Sequence, residues 1–83
     1  MKDLGLYNGN LINELLEKEE FESVDCIEGV LLDDELFYNH NNKKYYMCLE
    51  YALNSWSSCY KVYCGEMKEI YEKWNERKKE IVA

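Results

Sequence analysis

The sequence predicts an α+β fold, with a small antiparallel sheet of three to four strands and an amphipathic helix towards each end of the chain. Three observations predict it: apolar residues recur at helical spacing near both termini, β-branched and aromatic runs fill the middle, and an Asn-rich turn divides two of those runs. With 83 residues the chain has room for a single domain, residues 1–83, which is too small for a complete nucleotide-binding fold.

The first helix is predicted over residues 10–20. A capping and turn cluster, Asn8-Gly9-Asn10, precedes apolar residues at helical spacing: Leu11, Ile12, Leu15 and Leu16. Acidic residues occupy most of the opposite face, where Glu14 and Lys18 have the favourable i,i+4 order. Phe21 does not continue the apolar stripe, so we expect the helix to end before it.

Residues 23–39 change to an alternating pattern rich in β-branched residues, which is typical of a strand. Within this stretch, Asp33-Asp34 is interpreted as a turn. Aromatic-rich runs then flank Asn39-His40-Asn41-Asn42, whose residues tolerate left-handed backbone conformations. The sequence therefore predicts a β-hairpin that turns at 39–42.

Residues 46–74 fit two interpretations. Apolar residues recur every three or four positions, which a single long helix would satisfy. Polar residues and Gly65 interrupt that pattern, however, and residues 59–64 are strand-like in composition. We favour a strand near 44–52, a turn at 54–57 and a strand near 58–64.

The second helix is predicted over residues 65–80. Its apolar stripe has helical spacing, acidic residues open the segment and basic residues close it, as the helix dipole favours. The two helices are then available to cover one face of the sheet. We expect the buried residues to include Leu11, Leu15, Leu16, Val30, Leu32, Leu49, Met67, Ile70 and Trp74.

Negative charge is concentrated in one segment. The chain has a net charge of −7, and residues 14–35 contain ten acidic residues against the single base Lys18. This balance argues against direct binding of nucleic acid through phosphate neutralisation. It indicates instead a recognition surface for a basic protein, with a merely solvated acidic surface as the alternative. The predicted partner-binding carboxylates are Glu14, Glu17, Glu20, Glu22, Asp33, Asp34 and Glu35.

Tyrosines supply a second candidate surface. The chain has eight tyrosines and two tryptophans, more than the core of so small a sheet can hold, and both residue types commonly anchor protein interfaces. Alternation along the strands would turn about half of them outward. We therefore add Tyr45, Tyr60 and Tyr63 to the predicted partner-binding residues. A homodimer would use the same side chains.

Patterns for catalysis and metal binding are weak. Cys59 and Cys64 are separated by four residues rather than the two typical of zinc ligands, and His40 lies in a turn that we expect to be exposed. The chain has no Gly-rich phosphate loop and no nucleophile elbow. We expect no enzyme activity, no metal, no cofactor and four reduced cysteines. A small thiol- or zinc-dependent protein is the alternative.

Composition also bears on location and source. No apolar stretch is long enough for a signal peptide or a membrane span, so we expect a cytoplasmic protein that contacts no membrane. Heavy use of Asn, Lys, Tyr and Glu fits AT-rich coding in a low-GC bacterium or its phages. The resulting hypothesis is a phage or mobile-element inhibitor of the anti-CRISPR or anti-restriction type, acting as a nucleic-acid mimic. The alternative is a bacterial regulatory or immunity-type protein that binds a basic toxin or enzyme.

Overall fold

The structure, a computed structural model, describes residues 1–18, 20–28, 33–52 and 58–82. Along the chain these residues form β1 (Lys2–Tyr7), α1 (Gly9–Lys18), β2 (Phe21–Glu28), β3 (Asp33–Asn39), β4 (Lys44–Ala52), β5 (Ser58–Gly65) and α2 (Met67–Val82). The fold class is α+β, as the sequence predicts, but the described residues form five strands instead of three to four. No helix in these ranges combines the length and the apolar character needed to cross a membrane.

The five strands form one antiparallel sheet in the order β1-β5-β4-β3-β2. Strands β2 to β5 follow one another as a meander, and β1 pairs with β5, so β1 and β2 lie at opposite edges. Helix α1 connects these two edges. It begins where the side chain of Asn8 accepts a hydrogen bond from the backbone N–H of Leu11 (2.9 Å), which caps the helix.

Each face of the sheet is covered by one helix. Successive side chains of a strand point to opposite faces, so neighbouring residues of β4 belong to different cores. The core on the α2 side contains Ile27, Leu36, Met47, Leu49, Ile70 and Trp74. The core on the α1 side contains Ile12, Tyr46, Cys48, Val62 and Cys64. The two helices therefore cover different faces, whereas the sequence predicts that both cover one face.

Both edge strands carry a β-bulge. In β1 the register with β5 shifts between Asp3 and Gly5, and in β2 the register with β3 shifts between Ser23 and Asp25. At each bulge an aspartate side chain accepts a backbone hydrogen bond: Asp3 from Gly5 (2.8 Å) and Asp25 from Cys26 (2.9 Å). Gly5 has a φ of 94°, a conformation that residues with a Cβ rarely adopt.

The sequence correctly predicts both helices. The helix predicted over 10–20 is Gly9–Lys18, and the helix predicted over 65–80 is Met67–Val82. Their apolar stripes face the sheet for the most part, because burial of an amphipathic face is what stabilises helices of this length. Of the residues expected in the core, Leu49, Ile70 and Trp74 are buried. Leu15 and Leu16 are half-buried.

Two residues expected in the core are exposed instead. Leu11 is 46% exposed and Met67 is 57% exposed, so these predictions are wrong. Both lie in the first turn of a helix, where a side chain can project beyond the sheet, and on α1 the neighbouring Ile12 takes the buried position. The expectations for Val30 and Leu32 lie outside the described residues.

The sequence also correctly predicts the hairpin between β3 and β4. The chain turns after Asn39, whose side chain accepts a hydrogen bond from the backbone N–H of Asn41 (2.8 Å). Lys44–Ala52 and Ser58–Gly65 are strands, which confirms the favoured interpretation over one long helix. The turn predicted at 54–57 falls outside the part of the chain that the structure describes.

Strand β1 is not predicted by the sequence. This strand depends on a partner far along the chain, since Lys2 pairs with Cys64 and Tyr7 with Tyr60. Its own six residues contain Gly5, which weakens a strand pattern, and they are too few to show clear alternation. Long-range pairing therefore creates a strand where local propensity indicates none.

The turn predicted at Asp33-Asp34 is wrong. Both residues begin strand β3, and Asp34 is fully buried at 0% exposure. The carboxylate of Asp34 accepts hydrogen bonds from Arg77 Nε on α2 (2.8 Å) and from the backbone N–H of Glu50 on β4 (2.9 Å). The local sequence resembles a solvated turn because the cation that neutralises Asp34 comes from a distant helix.

Candidate functional site

Four of the cationic side chains of the sheet and of α2 pair with carboxylates that lie outside α1. The pairs, with their N···O distances, are Arg77–Asp34 (2.8 Å), Lys78–Asp25 (3.0 Å), Lys61–Asp3 (2.8 Å) and Lys44–Glu66 (2.7 Å). Each pair joins different elements of the fold, so these charges are largely neutralised within the molecule. The excess of negative charge must then reside elsewhere.

Three exposed carboxylates follow one another from α1 towards the edge strand β2, and we call them the carboxylate surface: Glu14, Glu17 and Glu20. Glu22, the next predicted carboxylate, lies on β2 opposite Tyr38 and therefore faces the α2 side of the sheet. Within the described residues, Glu14, Glu17 and Glu20 form no ion pair. The carboxylate of Glu22, which is 64% exposed, lies 3.0 Å from Nε2 of His40. Most of the negative charge on this surface is therefore available to an external cation.

The local sequence explains why these side chains point outward. Ile12 is buried against the sheet, and Leu15 and Leu16 are half-buried on the same side of α1. Residues at other helical positions must then face solvent, and Glu14 and Glu17, three positions apart, are neighbours on that outer side. This part of the predicted site follows from helical periodicity alone.

The predicted carboxylates on β3 are not part of this surface. Asp34 is buried on the α2 side, and the side chain of Asp33 lies outside the described part of the chain. Glu35 is half-buried, accepts a hydrogen bond from the Ser23 hydroxyl and lies opposite Cys26 of β2. A partner could reach Glu35 only in part, and Asp34 only by displacing α2.

The three predicted tyrosines do not share one face of the sheet. Tyr45 and Tyr63 pack against the core under α2, whereas Tyr60 packs against the core under α1. All three are half-buried. Because Tyr60 and Tyr63 are an odd number of residues apart on β5, the pleat of the strand separates them. Tyr45, Tyr60 and Tyr63 therefore do not form the one shared surface that the sequence predicts for the tyrosines.

A different group of aromatic residues does come together, and we call it the aromatic row: His40, Tyr38, Tyr45 and Tyr71. Neighbouring ring centroids are 4.8 Å apart for Tyr38 and His40, 4.9 Å for Tyr38 and Tyr45, and 5.5 Å for Tyr45 and Tyr71. Tyr38 also pairs across the sheet with Glu22. Of this group the sequence predicts only Tyr45 as a binding residue, because the positions of the other three depend on strand register and on where α2 packs.

The described part of the chain contains no disulfide, and of the four cysteines Cys26 is exposed whereas Cys48, Cys59 and Cys64 are buried. Burial raises the pKa of the Cys48 thiol to about 12, with the nearby carboxylates of Glu35 and Asp34 adding to the effect. Such a thiol stays protonated and unreactive at neutral pH. No group of three or more His, Cys, Asp or Glu side chains within the described ranges is arranged to hold a metal ion.

The chemistry that this arrangement offers is the binding of cations by exposed carboxylates held on a helix and on an edge strand. Charged groups placed in this way steer a basic partner and fix its orientation. Comparisons with protein-family models, with curated proteins and with solved structures give no match to this chain.

Proposed function

We propose that this chain is a small, acidic, non-enzymatic binding protein whose carboxylate surface occupies the basic groove of a nucleic-acid-binding protein or nuclease complex. One observation carries the proposal: Glu14, Glu17 and Glu20 are exposed without an ion pair in the described part of the chain, while basic side chains pair elsewhere. A surface of this charge attracts a partner that has evolved to bind phosphates.

The spacing of the carboxylates supports mimicry of a phosphate backbone. Side chains three or four positions apart on a helix are about 5–6 Å apart. Nucleic acid presents one phosphate for about every 3.4 Å of helix axis along each strand, and a longer distance along the backbone itself. Arg and Lys side chains that pair with such phosphates can pair with carboxylates instead, through charge-assisted hydrogen bonds.

Size and charge favour an inhibitor of the anti-CRISPR or anti-restriction type, encoded by a phage or mobile element and acting in the bacterial cytoplasm. Such an inhibitor needs only a folded scaffold and one complementary face, and both fit within 83 residues. An immunity-type protein that neutralises a basic toxin or enzyme would use the same carboxylates. The two functions differ in whether the partner loses its nucleic acid.

The test begins with affinity capture from bacterial lysates, followed by purification of the captured protein. Binding is then measured for the wild type and for a variant with Glu14, Glu17 and Glu20 replaced by Lys. We expect the variant to bind at least about tenfold more weakly, which corresponds to about 1.4 kcal/mol. The wild type should also displace DNA or RNA from the partner, and its affinity should fall as salt screens the charges.

A matched control changes the same number of charges on the other helix. Glu72, Glu76 and Glu80 are exposed on α2, and their replacement by Lys alters the net charge equally. Binding by this control should stay within about threefold of the wild type. Wild-type affinity in the Glu14, Glu17 and Glu20 variant would contradict the proposal, and so would equal losses in both triple variants. Neutralisation of a toxin without displacement of nucleic acid would favour the immunity-type function.

A further inference from the structure

The aromatic row forms a continuous strip of rings on the α2 side of the sheet, next to edge strand β2. Its three tyrosines are half-buried and His40 is 46% exposed, so the strip is accessible along part of its length. The rings meet at steep angles, with interplanar angles of 88° for Tyr38 and His40 and 65° for Tyr45 and Tyr71. Edge-to-face contacts of this kind favour a defined arrangement of rings.

A carboxylate lies beside this strip. Glu22 contacts His40 and pairs with Tyr38 across the sheet, so its negative charge lies at the margin of the rings. Burial raises the pKa of the Tyr45 hydroxyl, and the neighbouring Tyr71, Tyr38 and Glu22 raise it further. The Tyr45 hydroxyl therefore resists ionisation, and the negative charge beside the row is that of Glu22, to which a cation can bind.

The ring spacing restricts the shape of a bound cation. Centroid distances of 4.8 Å to 5.5 Å mean that neighbouring rings fill the space between them, so no cage for a compact ammonium group is left within the row. A ligand must lie against the outer side of the strip. A planar guanidinium can do this, because it stacks on aromatic rings and donates hydrogen bonds to a carboxylate at the same time.

We propose that the aromatic row and Glu22 bind an arginine side chain of the partner, an inference that rests on the proposed function for the partner being a basic protein. Tyr and Arg are both enriched among the residues that dominate binding energy at interfaces. Exposed Glu20 and Glu22 repel the phosphates that would accompany a stacked nucleobase. An arginine therefore fits the strip better than a single-stranded nucleic acid does.

The test needs no knowledge of the partner. The peptide acetyl-Gly-Arg-Gly-Arg-Gly-amide is titrated into the wild-type protein while the aromatic resonances of the tyrosines are followed by NMR. We expect saturable shifts at Tyr38 and Tyr71, and weaker or no shifts with the matching peptide that carries neutral citrulline in place of arginine. Equal shifts with both peptides, or shifts produced by oligothymidylate instead, would overturn the proposal.

Three variants separate a local site from general charge attraction. Glu22→Gln keeps the shape of the side chain and removes its charge, and Tyr38→Leu removes one ring. Each of these two variants should bind the arginine peptide about two- to fivefold more weakly than the wild type does. Glu80→Gln, which removes one exposed charge near the end of α2, should leave peptide affinity unchanged. An equal loss in Glu80→Gln and Glu22→Gln would show that the peptide responds only to net charge, against the proposal.

The same variants keep this inference distinct from the proposed function. If Glu22→Gln and Tyr38→Leu bind the captured partner as well as the wild type, while the Glu14, Glu17 and Glu20 variant does not, the arginine site is wrong and the proposed function stands. If that triple variant binds normally, the proposed function fails, whatever the peptide titration shows.

Discussion

Replacing Asp34 by Ala should destabilise the protein far more than replacing an exposed carboxylate of α1. The carboxylate of Asp34 is fully buried and accepts hydrogen bonds from Arg77 Nε (2.8 Å) and from the backbone N–H of Glu50 (2.9 Å). Removing this carboxylate leaves the guanidinium of Arg77, which is only 23% exposed, without the Asp34 charge that it pairs with. It also takes an acceptor away from a backbone N–H between two strands.

The expected loss of unfolding free energy is about 3 kcal/mol. Breaking a buried ion pair by removing one partner costs about 3–5 kcal/mol. The lower end applies here because Arg77 retains some solvent contact and has Glu80 at 4.0 Å. A chain of this size has a total stability of about 4–12 kcal/mol, so the loss is a large fraction of it.

Urea denaturation followed by circular dichroism measures this loss. With a denaturant slope of about 1–1.5 kcal/mol/M, the midpoint of Asp34→Ala should fall by about 2–3 M. The control Glu17→Ala should change the unfolding free energy by less than about 0.5 kcal/mol. Replacing both members of the pair, as in Asp34→Leu with Arg77→Met, should recover part of the loss. A midpoint for Asp34→Ala within about 0.5 M of the wild type would refute the reasoning.

Three further predictions concern other parts of the fold. Hydrogen bonds from the indole N–H of Trp74 and, to a smaller extent, from Lys78 lower the pKa of Asp25. This carboxylate therefore stabilises the fold fully when the pH is above its unfolded pKa near 3.8. That contribution should disappear as pH falls through the lower folded pKa, and Asp25→Asn should reduce this acid dependence in urea titrations. Cys26 should react first with a thiol reagent in the native protein, and buried Cys48 only after unfolding. Gly5→Ala should lower the free energy of unfolding, measured by urea denaturation, by about 1–2 kcal/mol, because the φ of 94° is unfavourable for a residue with a Cβ. A steric clash does not add to this loss, since the space around that Cβ is open.

The elements that the sequence predicts correctly are those whose signal is local. Helix α2 has its apolar stripe and its charges in the expected order, and Ile70 and Trp74 are buried accordingly. The β3–β4 hairpin is encoded by an Asn-rich turn between aromatic runs. The outer carboxylates of α1 belong to the same class, because helical periodicity decides which side chains face away from the sheet.

The elements that the sequence does not predict depend on partners far along the chain. Strand β1 exists because β5 pairs with it, and Asp34 is buried because Arg77 of α2 neutralises it. The aromatic row requires the register between β3 and β4, which places Tyr38 opposite Tyr45, as well as the position of Tyr71 on α2. Local composition contains none of this information. From the sequence alone, two adjacent aspartates therefore indicate a turn, and the three tyrosines are predicted to share one surface.

The bulges in β1 and β2 have a consequence for how the protein behaves at high concentration. An open sheet edge can template further strands and so lead to fibrils, and bulges are one device that prevents this. Here a bulge interrupts both edge strands. At the bulge in β1, Asp3 accepts a hydrogen bond from the backbone N–H of Gly5, and at the bulge in β2, Asp25 accepts one from the backbone N–H of Cys26. An incoming strand would meet a broken hydrogen-bond ladder at either edge. We therefore expect concentrated solutions to resist amyloid growth, and a partner to be recruited through side chains rather than by addition of a strand.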